Sequence, residues 1–391
     1  MKGDTSFTTA QIEVESRFIY IACPWTPKGG GMFKVADYLI QAQALSASGD
    51  AAQLRPLDTR GGSNAAYSFF VLFAAVLKLA KGRWSGQLSG VHVNMAERLS
   101  LFRKSVVVIT CRALGVPVVL HLHAAQLHHF YRDLPASLKK LTRWVFSLPA
   151  SCVVLGDAAR RFVIDELCVP ESRVEVVLNG VPEPIEPRRR VTEGCTQRIL
   201  FLGNLSERKG VSDLLEALAL PGFDSNRLEV IFAGGGDVPA YQEKARTLHI
   251  DSWVRFEGWS DQKKVARLMA GADVLVLPSY DEGLPLVILE ALANGVAVVC
   301  CPVGEIASVL TDGENACFVA PGDKDGLAAT LQRVLQQPGL RDSLERNGRL
   351  LYEQRFSLTR FFASIARVHQ RHFGIAGQPR RAAVGAVVEA P

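Results

Sequence analysis

A chain of 391 residues exceeds one ordinary hydrophobic core and predicts two domains. Hydrophobic residues make up 48% and charged residues 21%, which excludes a disordered or fibrous chain. A formal net charge of +5 is too small to argue for nucleic acid, so no nucleic-acid partner is expected.

The charge is unevenly placed. Residues 1–180 carry 20 Lys and Arg against 13 Asp and Glu, whereas the remainder carries 24 against 26. A basic first half suits contact with an acidic surface, and it equally suits solvated helix faces. The eight cysteines show no paired Cys-x-x-Cys spacing, and Cys300 and Cys301 fall in a run that reads as a buried strand. Reduced thiols in a cytoplasmic protein are therefore expected, not a disulfide framework. The first residues, MKGDTSFTTAQIEVES, are polar and do not read as a signal peptide. The longest apolar run, residues 67–77, is too short to span a bilayer.

Residues 17–23 (RFIYIAC) predict the first strand, followed by the proline- and glycine-rich PWTPKGGGMFK and a helix over 35–47. A glycine-rich turn from strand to helix lets backbone approach a ligand closely. Its run of glycines, ending at Gly31, lacks the spacing of a dinucleotide fingerprint. Residues 67–84 read as a helix and 90–94 as a strand. A helix over 96–114 carries Arg98, Arg103, Lys104 and Arg112 among apolar residues. Residues 117–121 form a strand entering HLHAAQLHHFYR, where His121 and His123 share one face. No cysteine or carboxylate pattern completes a metal site there, so no metal is expected. A basic amphipathic segment over 137–146 holds Lys139, Lys140, Arg143 and Trp144. A strand at 152–155, a helix at 157–167 and a strand at 174–178, ending at Asn179-Gly180, complete a doubly wound parallel sheet.

Residues 182–197 (PEPIEPRRRVTEGCTQ) break the composition and read as a linker. The alternation then restarts, with strands at 198–202, 229–233 and 254–257 and helices at 211–219, 239–248 and 261–270. The turn FLGNLSERKG places Arg208 and Lys209 beside a helix start. A cationic pair there suits a departing diphosphate better than the alternative, a surface turn with capping charges. Residues 272–301 form a strand–loop–helix–strand unit, with Glu282 in the loop and Glu290 eight residues later within the helix. Its first turn, around Gly283, Leu284, Pro285 and Leu286, offers unpaired amides at the carboxyl edge of the sheet, where a diphosphate fits. Glu290, about a turn and a half in, is placed to accept hydrogen bonds from sugar hydroxyls. Asp323-Lys324-Asp325 spells Asp-x-Asp, which an N-cap and first-turn acid explain. Residues 375–391 are rich in Ala, Gly and Pro and read as disordered.

Glu282–Glu290, as E-GLPLVIL-E within ADVLVLPSYDEGLPLVILEALANGVAVV, resembles the E-x7-E motif of retaining glycosyltransferases of the GT-B fold, above all glycosyltransferase family four. The likeness covers roughly residues 20–360. It implies an α/β chain of two Rossmann-like, doubly wound domains facing a cleft. These are an acceptor-binding domain over 1–185, a nucleotide-sugar-binding domain over 186–355, and a crossover helix and tail over 356–391. It implies transfer of a sugar from a UDP- or GDP-sugar to a saccharide or lipid-linked saccharide, with no cofactor, in bacterial cell-surface polysaccharide synthesis. It also implies a cytoplasmic enzyme with peripheral contact at an anionic membrane face. By resemblance, His123, Glu282 and Lys209 are catalytic. Gly31, Asn204, Arg208, Lys209, Glu282, Gly283, Leu284, Pro285, Leu286 and Glu290 hold the donor. Asn204 stands where the family has arginine, so either Arg208 supplies the second cation or diphosphate binding is weaker. Phe256-Glu257-Gly258-Trp259 resembles a segment near the nucleobase, although a packed or surface Trp259 explains it better. An epimerase-type enzyme and a non-catalytic nucleotide-sugar-binding partner are the competing readings.

Overall fold

The computed structural model describes residues 17–26, 30–45, 52–62, 65–189 and 195–374. The predicted disordered stretch, 375–391, lies outside them. In the first half the elements run β1 (Phe18–Cys23), α1 (Gly31–Leu45), β2 (Gln53–Asp58), α2 (Ala65–Trp84), β3 (Leu88–Met95), α3 (Leu99–Ala113), β4 (Val118–Leu122), α4 (Leu127–Arg132), α5 (Ala136–Ser147), β5 (Ser151–Val154), α6 (Asp157–Asp165) and β6 (Val174–Val176). The second half runs β7 (Gln197–Leu202), α7 (Val211–Leu218), β8 (Leu228–Ala233), α8 (Val238–Thr247), β9 (Val254–Gly258), α9 (Gln262–Gly271), β10 (Val274–Leu277), α10 (Leu286–Ala293), β11 (Ala297–Cys300), α11 (Ile306–Val309), β12 (Cys317–Phe318), α12 (Lys324–Gln336), α13 (Pro338–Leu351) and α14 (Leu358–Phe373).

Each half builds one six-stranded sheet, and every strand pair within it is parallel. Parallel neighbours need crossovers, which the helices supply on both faces. The orders are β2-β1-β3-β4-β5-β6 and β12-β11-β10-β7-β8-β9. Each sheet therefore reverses direction once, between β1 and β3 and between β7 and β10. At such a switch point the loops leaving the carboxyl ends part and open a crevice. The central strands β10 and β11 are buried throughout, as their uninterrupted Val, Leu and Ala runs require.

Two local expectations need correction. The first helix begins at Gly31, not at residue 35, so Gly31 belongs to its opening turn. The helix predicted over 96–114 starts at Leu99. Strand β2 and the short helix α4 have no clear sequence signal. In QLRPLD, proline and charge interrupt the alternation, which an edge strand tolerates.

The chain crosses between lobes twice, and the two crossings are hydrogen-bonded together. Val181 N–H donates to Phe356 O at 3.0 Å, and Leu358 N–H donates to Val181 O at 2.9 Å. Helix α14 then packs on α1, β3 and β4 of the first lobe. Its last aromatic ring, Phe373, lies flat over Gly90 of β3. A Cβ at Gly90 would meet that ring at 2.4–2.5 Å. Gly90→Ala is therefore expected to lower stability by about 1–3 kcal/mol through overpacking, read as a lower denaturation midpoint. Adding Phe373→Leu should recover part of the loss. An unchanged midpoint in the single variant would contradict this packing.

Candidate active site

The two switch points face each other across a cleft of about 600 Å³. Every residue predicted to hold the donor or act in catalysis lines it: Gly31 and His123 from the first lobe, and Asn204, Arg208, Lys209, Glu282, Gly283, Leu284, Pro285, Leu286 and Glu290 from the second. The topology explains the convergence. Lys209 follows β7 and Glu282 follows β10, the two strands flanking the second switch point.

Lys209 sits in a short 3₁₀ turn, Glu207–Lys209, ahead of α7. Gly210 ends that turn at φ 67°, and a Cβ there would stand 2.1 Å from the Pro278 carbonyl. Only glycine lets the two loops meet this closely. The Lys209 ammonium consequently forms an ion pair with Glu282, and both side chains are largely buried. The Arg208 guanidinium donates to the Asp281 carbonyl at 2.5 Å, and Tyr280 N–H donates to Arg208 O at 2.9 Å. The two loops are thus stitched together around the cation pair. Asn204 stands exposed at the cleft wall.

Helix α10 opens at the cleft with Pro285 as its N-cap, and no side chain caps it. Its first-turn amides point to where an anion would sit. Glu290, one turn on, is held from the other lobe. Lys34 Nζ lies 2.9 Å from Glu290 Oε1, and the Tyr38 hydroxyl donates to the same oxygen at 3.2 Å. Burial, with the adjacent Glu290, raises the Tyr38 pKa well above the usual phenol value, so this hydroxyl keeps its proton. Two further contacts join the lobes. Asn179 Nδ2 donates to Leu284 O at 3.4 Å, so the Asn179-Gly180 pair is more than a surface turn. Glu305 accepts from the amides of Ala158 and Ala159, at 3.4 and 2.8 Å, at the start of α6.

His123 ends a chain of imidazoles. His369 Nε2 of α14 lies 2.8 Å from His92 Nδ1, and His92 Nε2 lies 3.2 Å from His121 Nδ1. The His121 and His123 rings lie tilted at 42° to one another with centroids 4.0 Å apart. His123 Nε2 donates to Asn94 Oδ1 at 2.9 Å, which leaves Nδ1 as an acceptor. Burial, then the neighbouring His92, lowers the His123 pKa to about 3; burial lowers that of His92 to about 4. Among the described residues no group of three or more His, Cys, Asp or Glu is placed to hold a metal ion. Asp323 caps α12 by accepting from Gly326 N–H at 2.9 Å. His128 and His129 line a neighbouring hollow of about 610 Å³ that shares Glu282 and Gly283 with the cleft. Trp259 stands half exposed at the cleft wall.

Of the basic residues read as lying on helix faces, Lys104 departs from expectation. Lys104 is buried and donates to the Thr59 hydroxyl, so it lies on no outer face. Lys139 and Arg143 donate to the carbonyls of Arg132 and Glu166, at 2.6 and 2.9 Å, and so tie α5 to its neighbours. Lys34, Tyr38, Asn94, His92 and His369 were not singled out by sequence. Only Lys34, directly after GGGMF, carried any hint, as a cation beside a glycine-rich turn.

Residues 186–351 match the family described as glycosyl transferases group 1. An uncharacterized glycosyltransferase of Methanocaldococcus jannaschii is 29% identical over 262 residues, which is 62% of this chain and 66% of that protein. A phosphatidyl-myo-inositol mannosyltransferase of Mycolicibacterium smegmatis is 32% identical over 194 residues, 48% of this chain and 49% of that protein. The matched stretch thus spans between about half and two thirds of the length of these relatives. The Anabaena HepE protein, solved with UDP and glucose, superposes with a TM-score of 0.69 at 15% identity, over 90% of this chain and 99% of that one. The fold is the two-domain GT-B fold.

The buried histidines make stability depend on pH. In the unfolded chain each imidazole titrates near 6.5. In the folded chain His92 and His123 stay neutral down to about 4 and 3. Below pH 6.5 the unfolded state therefore binds protons that the folded state refuses, so stability falls as pH drops from 6.5 toward 4. Melting temperature measured from pH 7.5 to 4.5 should decline, and His92→Gln should flatten that slope. An equal slope in the variant would contradict the assignment.

Proposed function

We propose that this chain, a GT-B protein whose residues 186–351 belong to the group 1 glycosyl transferases, moves a sugar from a nucleotide diphosphate to an acceptor hydroxyl with retention at the anomeric carbon. The observation that carries this reading is the pairing of two cleft carboxylates with two lysines: Lys209 on Glu282 and Lys34 on Glu290. A buried carboxylate needs a cation to offset its desolvation. An incoming diphosphate offers both lysines another anion. Lys209 then turns to the phosphates beside the first-turn amides of α10, and Glu282 is released to the hydroxyls of the donor sugar. Glu290 exchanges Lys34 for the ribose hydroxyls. That the Anabaena neighbour was solved with UDP and glucose favours a UDP-sugar over other donors.

The chemistry follows from these partners. The bond between the anomeric carbon and the diphosphate oxygen breaks, and its electron pair leaves with the phosphate. Lys209 and the α10 amides stabilise the departing charge. Arg208, beside them, supplies the second cation at the turn where Asn204 brings no charge. The acceptor oxygen bonds to the same face of the ring, and its proton passes to the departing phosphate oxygen. His123, neutral and oriented by Asn94, accepts from a donor-sugar hydroxyl through Nδ1 as the ring gains positive character. The acceptor is a saccharide carried on a lipid, in cell-surface polysaccharide assembly at the inner membrane face. The lipid named in the mycobacterial relative supports a lipid as the acceptor's carrier.

Turnover of UDP- and GDP-sugars, with and without lipid-linked saccharides, tests the proposal. Glu282→Ala and Lys209→Ala should each lower kcat/KM by about 10²–10³ with an unchanged circular dichroism spectrum. Near-normal turnover in both variants would refute the site. Sugar release without any acceptor would favour an epimerase-type enzyme.

A further inference from the structure

Helices α2 and α3 turn apolar surface outward. Phe69, Phe70 and Phe73 of α2 are 63–75% exposed, and Leu99, Phe102, Val106 and Ile109 form an exposed stripe along α3. Contiguous apolar surface of this kind marks an interaction site on a folded protein. Between the helices runs a groove of about 800 Å³. Its apolar walls include Phe69, Leu72, Phe102 and Val106, and its cations are Arg60, Arg98 and Arg103.

Several observations give the groove a direction and a chemistry. Glu97 lines both the groove and the active-site cleft, so the two are adjoining spaces. The Arg103 Nε is buried without a hydrogen-bond partner. Burial, then the nearby Arg60 charge, lowers the Arg103 pKa. Arg60 and Arg103 line the same groove, with the Asp58 carboxylate also near Arg103, and guanidinium forks of this kind match a phosphate. Arg98 adopts φ 57°, a left-handed backbone that a non-glycine residue holds only under constraint. From residue 59 to 132 the sequence has nine Lys and Arg and a single acid, Glu97.

Resting on the glycosyl-transfer reading, we propose that this groove binds the lipid that carries the acceptor saccharide. The lipid's phosphate sits on Arg60, Arg98 and Arg103, and the first part of its apolar tail lies between α2 and α3. The saccharide then points past Glu97 into the cleft. The outer phenylalanines enter the bilayer surface beside it. The cations that line the groove itself are arginines, whose planar forks match a phosphate. A surface that merely gathered bulk anionic lipid would need no guanidinium inside an apolar trough.

Farnesyl diphosphate, below its micelle concentration, serves as the probe with the full chain, and titration calorimetry reads its affinity. It should bind more tightly than farnesol or inorganic diphosphate. Arg60→Gln, Arg103→Gln and Phe102→Ser should each weaken it tenfold or more and leave UDP affinity unchanged. Unaltered farnesyl diphosphate affinity in these variants overturns the proposal. So does an equal loss of binding to phosphatidylglycerol vesicles with no measurable farnesyl diphosphate binding, which would make the face a bilayer-docking surface only. Loss of folding in the variants is met by photo-crosslinking wild-type protein to a benzophenone-bearing prenyl diphosphate. Label at residue 60, within 68–72 or within 98–106 supports the groove, and label elsewhere excludes it. Failure of wild-type protein to bind any nucleotide would instead strike the glycosyl-transfer reading.

Discussion

Two carboxylates taken out of water must each keep a cation, and that requirement organises the cleft. Glu282 holds Lys209, and Glu290 holds Lys34. Removing either partner alone would leave an uncompensated charge. One pair lies within the second lobe and the other spans both lobes. Each of these cleft carboxylates is thus already paired with a cation. The parallel topology makes this arrangement available, because both sheets open their switch points toward the same space.

Much of the site was legible because its residues are bound to local patterns. Glu282 and Glu290 flank the start of one helix that leaves one buried strand. Lys209-Gly210 ends another strand-to-helix turn, where the close approach to Pro278 requires glycine. Such spacings survive translation into structure. The contacts that escaped are those between distant parts of the chain. Lys34 and Glu290 stand 256 residues apart, and His92 and His369 stand 277 apart. No local periodicity encodes such a meeting. Lys104 shows the complementary failure. Helical spacing places a lysine on a wheel, but only packing shows that its ammonium turns inward to Thr59.

The crossover helix joins these parts. Val181 and the backbone around Ser357 are bonded side by side, so α14 is fixed where the chain returns. It lays Phe373 on Gly90 and offers His369 to His92, at the far end of the imidazole chain that reaches the cleft. The second lobe's terminal segment therefore packs behind the first lobe's cleft wall. Opening of the lobes would have to break the Lys34, Tyr38, Asn179 and Glu305 contacts while keeping this seam.

The most direct test of the account is a crystal structure of the protein soaked with UDP. The diphosphate is predicted beside Lys209 Nζ and the first-turn amides of α10, with the ribose hydroxyls on Glu290 and Lys34 displaced from it. UDP lodged outside the cleft, with both lysine–glutamate pairs still closed, would contradict the central claim.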